Sequence, residues 1–254
     1  MRKTIIAGNW KMYKTITEGI ELVTGLKRNL YDINTVDIVL CPPFTLLSEV
    51  AEVIVETGIK LGAQDMYWQR EGAFTGEVSG VMVKDAGADY VIIGHSERRQ
   101  FFGETNETVN KKLKSALGIG LIPIVCIGEN LMEREQGKTF QVIKAQLEES
   151  LAGLTIEQAE KIIVAYEPVW AIGTGKTATP AQAQEAHQFI RNLLGQLFNE
   201  KVSFGCRIQY GGSVKPDNIA ELISQPDIDG ALVGGSSLEV NSFTAIVKNC
   251  IGRK

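Results

Sequence analysis

The feature that most constrains this chain is a repeated alternation. A short apolar run is followed by a polar turn and then a longer amphipathic stretch, and the pattern recurs along the whole sequence. The runs are Thr4–Ala7, Asp37–Cys41, Lys60–Ala63, Tyr90–Ile93, Ile122–Ile127, Ile162–Tyr166, Arg207–Tyr210 and Gly230–Val233. Most are nearly continuous in Val, Ile, Leu and Ala. Strands buried on both faces have this composition, so the runs predict a parallel sheet covered by helices. The stretches between them carry helix signals. Thr179-Pro180-Ala181-Gln182 predicts a capping box with proline at the first helical position, and Ala186, Ile190, Leu193 and Leu197 then share one face. Ser236-Ser237-Leu238-Glu239 and Thr15-Ile16-Thr17-Glu18 are read as two further capping boxes.

Eight such units in 254 residues, with no linker, Pro/Ser-rich tract or charge block between them, predict an α/β protein: one closed (β/α)8 barrel domain over residues 1–254. An open doubly wound sheet shares the strand signature but at this length would usually hold fewer strands. With 44% hydrophobic and 22% charged residues the chain can bury a sizeable core. The net charge of -4 and the absence of a basic run argue against nucleic-acid binding. Cys41, Cys126, Cys206 and Cys250 are scattered without a C-x-x-C pair, which suits free thiols in a reducing compartment. The apolar stretch Ile5–Ala7 is too short for a signal-peptide core, and no stretch approaches the ~18 apolar residues of a membrane helix. The expectation is a cytoplasmic protein with no membrane partner.

In either architecture, function sits at the carboxyl ends of the strands. After the first run come Asn9-Trp10-Lys11; after the fourth, Gly94-His95-Ser96-Glu97-Arg98-Arg99; after the sixth, Glu167-Pro168-Val169-Trp170. Gly211-Gly212-Ser213 follows the seventh and Gly234-Gly235-Ser236 the eighth. A closed barrel brings these to one mouth. The two glycine turns at adjacent strand ends predict a phosphate site, because free backbone N–H groups and a capped helix start favour an anion. Glu167, leaving an apolar strand with Pro168 fixing its exit, is read as a general base whose proton affinity is raised by apolar surroundings. His95 is placed to exchange a proton with a substrate oxygen, and Lys11 to act as a fixed cation. His187 falls inside the predicted sixth helix and is read as structural or surface, without a role. No HExxH or clustered ligand set predicts a metal. Gly173-Thr174-Gly175-Lys176-Thr177-Ala178 fits G-x-G-x-x-A, but it starts several residues after its strand and after five earlier units. It is read instead as the mobile middle of a lid with firm ends.

With these residues in view, the chain resembles the triosephosphate isomerases over essentially its full length. The resemblance rests on Gly8-Asn9-Trp10-Lys11-Met12, Gly94 through Arg99, Ala165 through Gly175, Tyr210-Gly211-Gly212-Ser213-Val214 and Val233-Gly234-Gly235. Many members of that family have alanine where this chain has Ser236. The resemblance implies a TIM barrel that interconverts dihydroxyacetone phosphate and D-glyceraldehyde 3-phosphate, a step of glycolysis and gluconeogenesis, without metal or organic cofactor. It implies Glu167 as the base, His95 as a neutral electrophile, Lys11 as positive charge, Asn9 as an orienting group and Glu97 as the resting partner of Lys11. Gly173, Ser213, Gly234 and Gly235 would hold the phosphate. The segment 65–79 would be a homodimer loop with Thr75 near its tip. Three other readings stay open from the residues: a non-catalytic phosphate-binding barrel, an NAD-dependent oxidoreductase resting on G-x-G-x-x-A, and an aldolase using Lys11 as a Schiff base.

Overall fold

The structure is a computed structural model describing residues 2–172 and 178–252. Among these residues the strands are β1 (Thr4–Asn9), β2 (Val36–Cys41), β3 (Ile59–Ala63), β4 (Tyr90–Ile93), β5 (Ile122–Ile127), β6 (Ile163–Tyr166), β7 (Arg207–Tyr210) and β8 (Gly230–Val233). Each pairs in parallel with the next and β8 pairs with β1, so the sheet closes into a (β/α)8 TIM barrel. Four strands, β4, β5, β7 and β8, match the apolar runs end to end, and the other four differ by a residue or two at one end. The largest extension is in β1, where Gly8 and Asn9 continue the ladder opposite Leu40 and Cys41.

Strand residues split into two sets by the two-residue period of a β-strand. Ile5, Ala7, Val39, Ile124, Ile163 and Ala165 pack together inside the barrel, while Ile6, Ile38, Leu40, Val125, Val164 and Ile208 pack outward under the helices. This double burial explains the continuous apolar runs. Continuing the inward set by two residues, Ile5 and Ala7 lead to Asn9, and Ile163 and Ala165 lead to Glu167. Both polar side chains are thereby aimed at the barrel mouth.

The outer layer includes Ile16–Leu30, Asn106–Gly118, Pro180–Leu197 and Val240–Lys248. At the first, the Glu18 carboxylate accepts from the N–H and hydroxyl of Thr15 at 2.8 and 2.9 Å. Thr179 and Gln182 form the reciprocal box at the third, with Pro180 at its start. The box expected at Ser236–Glu239 does not form. Gly235–Leu238 is a short 3-10 turn, the Ser237 hydroxyl donates back to Gly234 O at 2.7 Å, and the helix begins only at Val240. The turn is too tight for Ser236 to cap a helix three residues on.

Two features hold the mouth in shape. Lys112 is buried between Asp65 and Glu104, 2.7 Å from each, and Arg98 lies 2.9 Å from Asp65. This cluster ties the segment after β3 to the helix Ser96–Phe101 that follows β4. The 65–79 segment is itself ordered by the Tyr67 N–H, which donates to Val78 O at 2.8 Å, and by the Tyr67 ring against Trp68 and Phe74. Its residues 71–77, Thr75 included, are exposed. Among the described residues no helix is long and apolar enough to cross a membrane.

Candidate active site

Glu167 is held by its backbone before its carboxylate is considered. Its N–H donates to Ile127 O at 2.7 Å, and the Gly211 N–H donates to Tyr166 O at 2.7 Å. Two glycines make this approach possible. A methyl at Gly128 would lie 1.7 Å from Glu167 O, and one at Gly211 would lie 2.9 Å from Glu167 Cγ. The carboxylate, on a residue only 2% exposed, accepts from the Ser96 N–H at 2.9 Å and the Ser96 hydroxyl at 3.2 Å. His95 Nε2 lies 3.0 Å from its other contact, Oε1. Burial raises the Glu167 proton affinity, but His95 and Ser96 outweigh it and hold the carboxyl below the usual carboxylate range. The raised affinity expected from apolar surroundings is therefore corrected: the walls are apolar, but the atoms touching the carboxylate are donors.

His95 follows Gly94, whose φ of +77° turns the chain at the end of β4. It caps the helix Ser96–Phe101, and the Glu97 N–H donates to Nδ1 at 3.2 Å. Nδ1 is thus an acceptor, which leaves the ring proton on Nε2, facing Glu167. Burial opposes a second proton on this ring, while the Glu167 carboxylate outweighs burial and lifts its affinity above that of a free imidazole. A second proton would have to take Nδ1 from the Glu97 N–H.

Lys11 has φ +54°, a left-handed conformation that costs a non-glycine residue about 1–3 kcal/mol. Its N–H donates to Asn9 Oδ1 at 3.0 Å, and its carbonyl accepts from Gln64 Nε2 at 2.9 Å. The strained turn aims Lys11 Nζ at Glu97 Oε1, 2.5 Å away.

These residues meet round a cavity of about 280 Å³. Lys11, His95 and Glu167 line it together with Asn9, and so do Ser213, Gly234, Gly235 and Ser236 from the ends of β7 and β8; Ile172 and Leu232 add apolar wall. The Gly211 N–H is committed to Tyr166 O, so it is not free for an anion as the glycine pattern suggested. Gly211 also lines the cavity, and its missing side chain makes room for Glu167. The Ser236 hydroxyl donates to Val214 O at 2.9 Å and bridges the two glycine turns. Gly173 and the lid middle expected at 173–177 lie outside the described residues. Among the described residues no group of three or more His, Cys, Asp or Glu side chains could hold a metal ion. The cavity brings a glutamate, a histidine and a lysine together with glycine-rich backbone from the ends of β7 and β8.

A model of the triosephosphate isomerase family matches residues 4–250. The chain is 59% identical over 251 residues to a triosephosphate isomerase of Carboxydothermus hydrogenoformans, covering 99% of this chain and 100% of that one. It is 58% identical over 248 residues to one of Citrifermentans bemidjiense, covering 98% and 99% of the two chains. The chain belongs to the triosephosphate isomerase family.

Membership in the triosephosphate isomerase family leaves several supporting contacts that no motif reveals. Gln64 Nε2 donates to both Lys11 O and Cys41 O, locking the strained turn to β2; a lone glutamine beyond a strand carries no signal. Ser96 was visible only as part of a motif, without its grip on Glu167. Glu129, fully buried, accepts from the Tyr166 hydroxyl at 3.1 Å and from Trp170 Nε1 at 2.8 Å, and its carbonyl accepts from Val169 N–H at 3.0 Å. It thus anchors the chain on both sides of Glu167. His187 is interior, never surface: its ring stands edge-on to Tyr166 at 5.8 Å, and burial lowers its pKa to about 4. It remains a structural residue.

Proposed function

We infer that this triosephosphate isomerase family member interconverts dihydroxyacetone phosphate and D-glyceraldehyde 3-phosphate through an enediolate, with Glu167 moving the proton between the two carbons. The observation that carries the assignment of roles is the 3.0 Å contact of His95 Nε2 with Glu167 Oε1, at the end of a cavity that also holds Lys11 and the glycine turns. A proton beside a carbonyl leaves only if the oxygen that becomes negative already faces donors. The His95 Nε2–H supplies one, Lys11 Nζ adds positive charge, and Asn9 orients the substrate. Glu97 holds Lys11 until substrate arrives. Ser213, Gly234 and Gly235 receive the phosphate through backbone N–H groups, and Gly173 is proposed to join them. To act, the Glu167 carboxylate exchanges its Ser96 donors for the substrate carbon. Loss of Ser96 contacts restores basicity at the moment it is needed. No metal or organic cofactor enters this scheme.

The exposed 71–77 segment, braced by its aromatic base, supports a homodimer in which Thr75 reaches towards the partner's site. Four buried free cysteines support a reducing, cytoplasmic location.

The test is isomerisation of glyceraldehyde 3-phosphate by purified protein in EDTA, beside Glu167→Gln. Loss of a positioned base costs ~10²–10⁴ in rate, so the variant should fall at least that far. Activity surviving the change would move the base elsewhere. A folded wild type with no turnover would leave a phosphate-binding barrel.

A further inference from the structure

Glu167 borders two cavities. One is the substrate cavity described above. The other, about 400 Å³, is lined by residues including Ser96, Arg99, Gln100, Gly128, Gln146 and Glu167. Among the described residues, Glu167 is the one that lines both. The second cavity therefore reaches the base from the side away from Lys11 and the glycine turns. Its rim includes the exposed Gln100 and Asn130, so it opens to solvent. Liquid water takes ~30 Å³ per molecule, so there is room for several. At its inner end the Ser96 hydroxyl lies 3.2 Å from Glu167 Oε1. A serine hydroxyl both accepts and donates, so it can pass a proton between a carboxyl group and water.

We propose that this rear cavity is the route by which the proton held on Glu167 exchanges with solvent during turnover. The inference rests on Glu167 being the base. Once it has taken a proton from the substrate carbon, Glu167 is a neutral carboxylic acid; when it swings back to the Ser96 contact it has in this structure, the reacting intermediate still fills the front cavity. The rear cavity stays open to solvent. In heavy water the exchangeable Ser96 hydroxyl carries deuterium, so the acid gives its proton to Ser96 Oγ as that hydroxyl gives its deuteron to the carboxyl group. Ser96 then exchanges the proton it has gained for a deuteron from a water in the rear cavity. The sum is COOH + D₂O → COOD + HOD, with no change of oxidation state. Glu167 then delivers deuterium to the neighbouring carbon, whereas return before exchange delivers the original hydrogen. The product thus records the competition between the rear path and direct return.

The experiment is turnover of unlabelled glyceraldehyde 3-phosphate in D₂O. NMR measures the fraction of dihydroxyacetone phosphate that retains the original hydrogen. Gln100→Trp and Glu133→Trp narrow the rear cavity from two lining positions, and Gln100→Ala widens it. None of these residues lines the substrate cavity. The expected result is that hydrogen retention rises about twofold or more in the tryptophan variants and falls in Gln100→Ala, while kcat in ordinary water changes little. An unchanged partition in all three active variants overturns the rear route. A wild type that does not turn over at all would instead overturn the assignment of the reaction.

Discussion

Replacing Gly211 by alanine tests whether the position of Glu167 governs the rate. The φ of Gly211 lies outside the left-handed region, so the alanine backbone is unstrained. The new methyl would lie 2.9 Å from Glu167 Cγ and 3.1 Å from Tyr166 O. Carbon pairs prefer ~3.5–4.0 Å, so relief requires the glutamate to move by roughly 0.6–1 Å. A misplacement of about 1 Å can cost ~10²-fold in a reaction that depends on a near-attack geometry. The expected kcat is about 10–100-fold down, with KM changed less, since the atoms nearest the new methyl belong to Glu167 and Tyr166. Overpacking of this kind costs ~1–3 kcal/mol, which for a chain of this size lowers Tm by several degrees. Gly235→Ala is the companion, because its methyl would meet nothing within 4 Å. It should keep Tm and kcat and act, if at all, on KM. A coupled assay with thermal melts reads both variants. Wild-type kcat in Gly211→Ala, with the expected drop in Tm, would refute the claim that this packing sets the base.

Ser236→Ala removes the hydroxyl that joins the two glycine turns through Val214 O, a bond worth ~0.5–1.5 kcal/mol. KM and the inhibition constant for inorganic phosphate should rise together, up to about tenfold, at unchanged kcat; a fall in kcat alone would refute the bracing role. Gln64→Leu removes two hydrogen bonds that hold the strained Lys11 turn, so kcat/KM should fall by roughly tenfold, and steady-state kinetics would read it. His187 has a folded pKa of about 4, below its ordinary ~6.5, so as pH falls the unfolded chain takes up a proton that the folded chain refuses. Stability should drop between about pH 6.5 and 4 by ~3 kcal/mol, and urea melts of His187→Phe should show that slope reduced. An identical slope in the variant would place the titration elsewhere.

The barrel was legible because burial on both faces writes itself into composition. A strand covered by helices outside and by its neighbours' side chains inside has little room for polar residues. The same logic failed at Ser236–Glu239, where a capping pattern sits in a 3-10 turn, because the pattern specifies which side chains could bond and not how tightly the backbone winds. The Glu167 environment was misread for a related reason. Its neighbours in the chain are apolar, but Ser96 and His95, some seventy residues earlier, supply the contacts that set its proton affinity.

The order of residues along the chain by itself determined the eight strand–helix units and the residue types gathered at the carboxyl ends of the strands. These follow from periodicity and local backbone preference, which neighbouring residues decide. Tertiary structure alone decided that Gln64 pins the Lys11 turn, that Gly211 yields its N–H to Tyr166 and its space to Glu167, and that His187 is interior. It also decided that Glu167 borders a second cavity. Each of these depends on distances between segments far apart in sequence. Closing the barrel sets those distances, and no local signal encodes them.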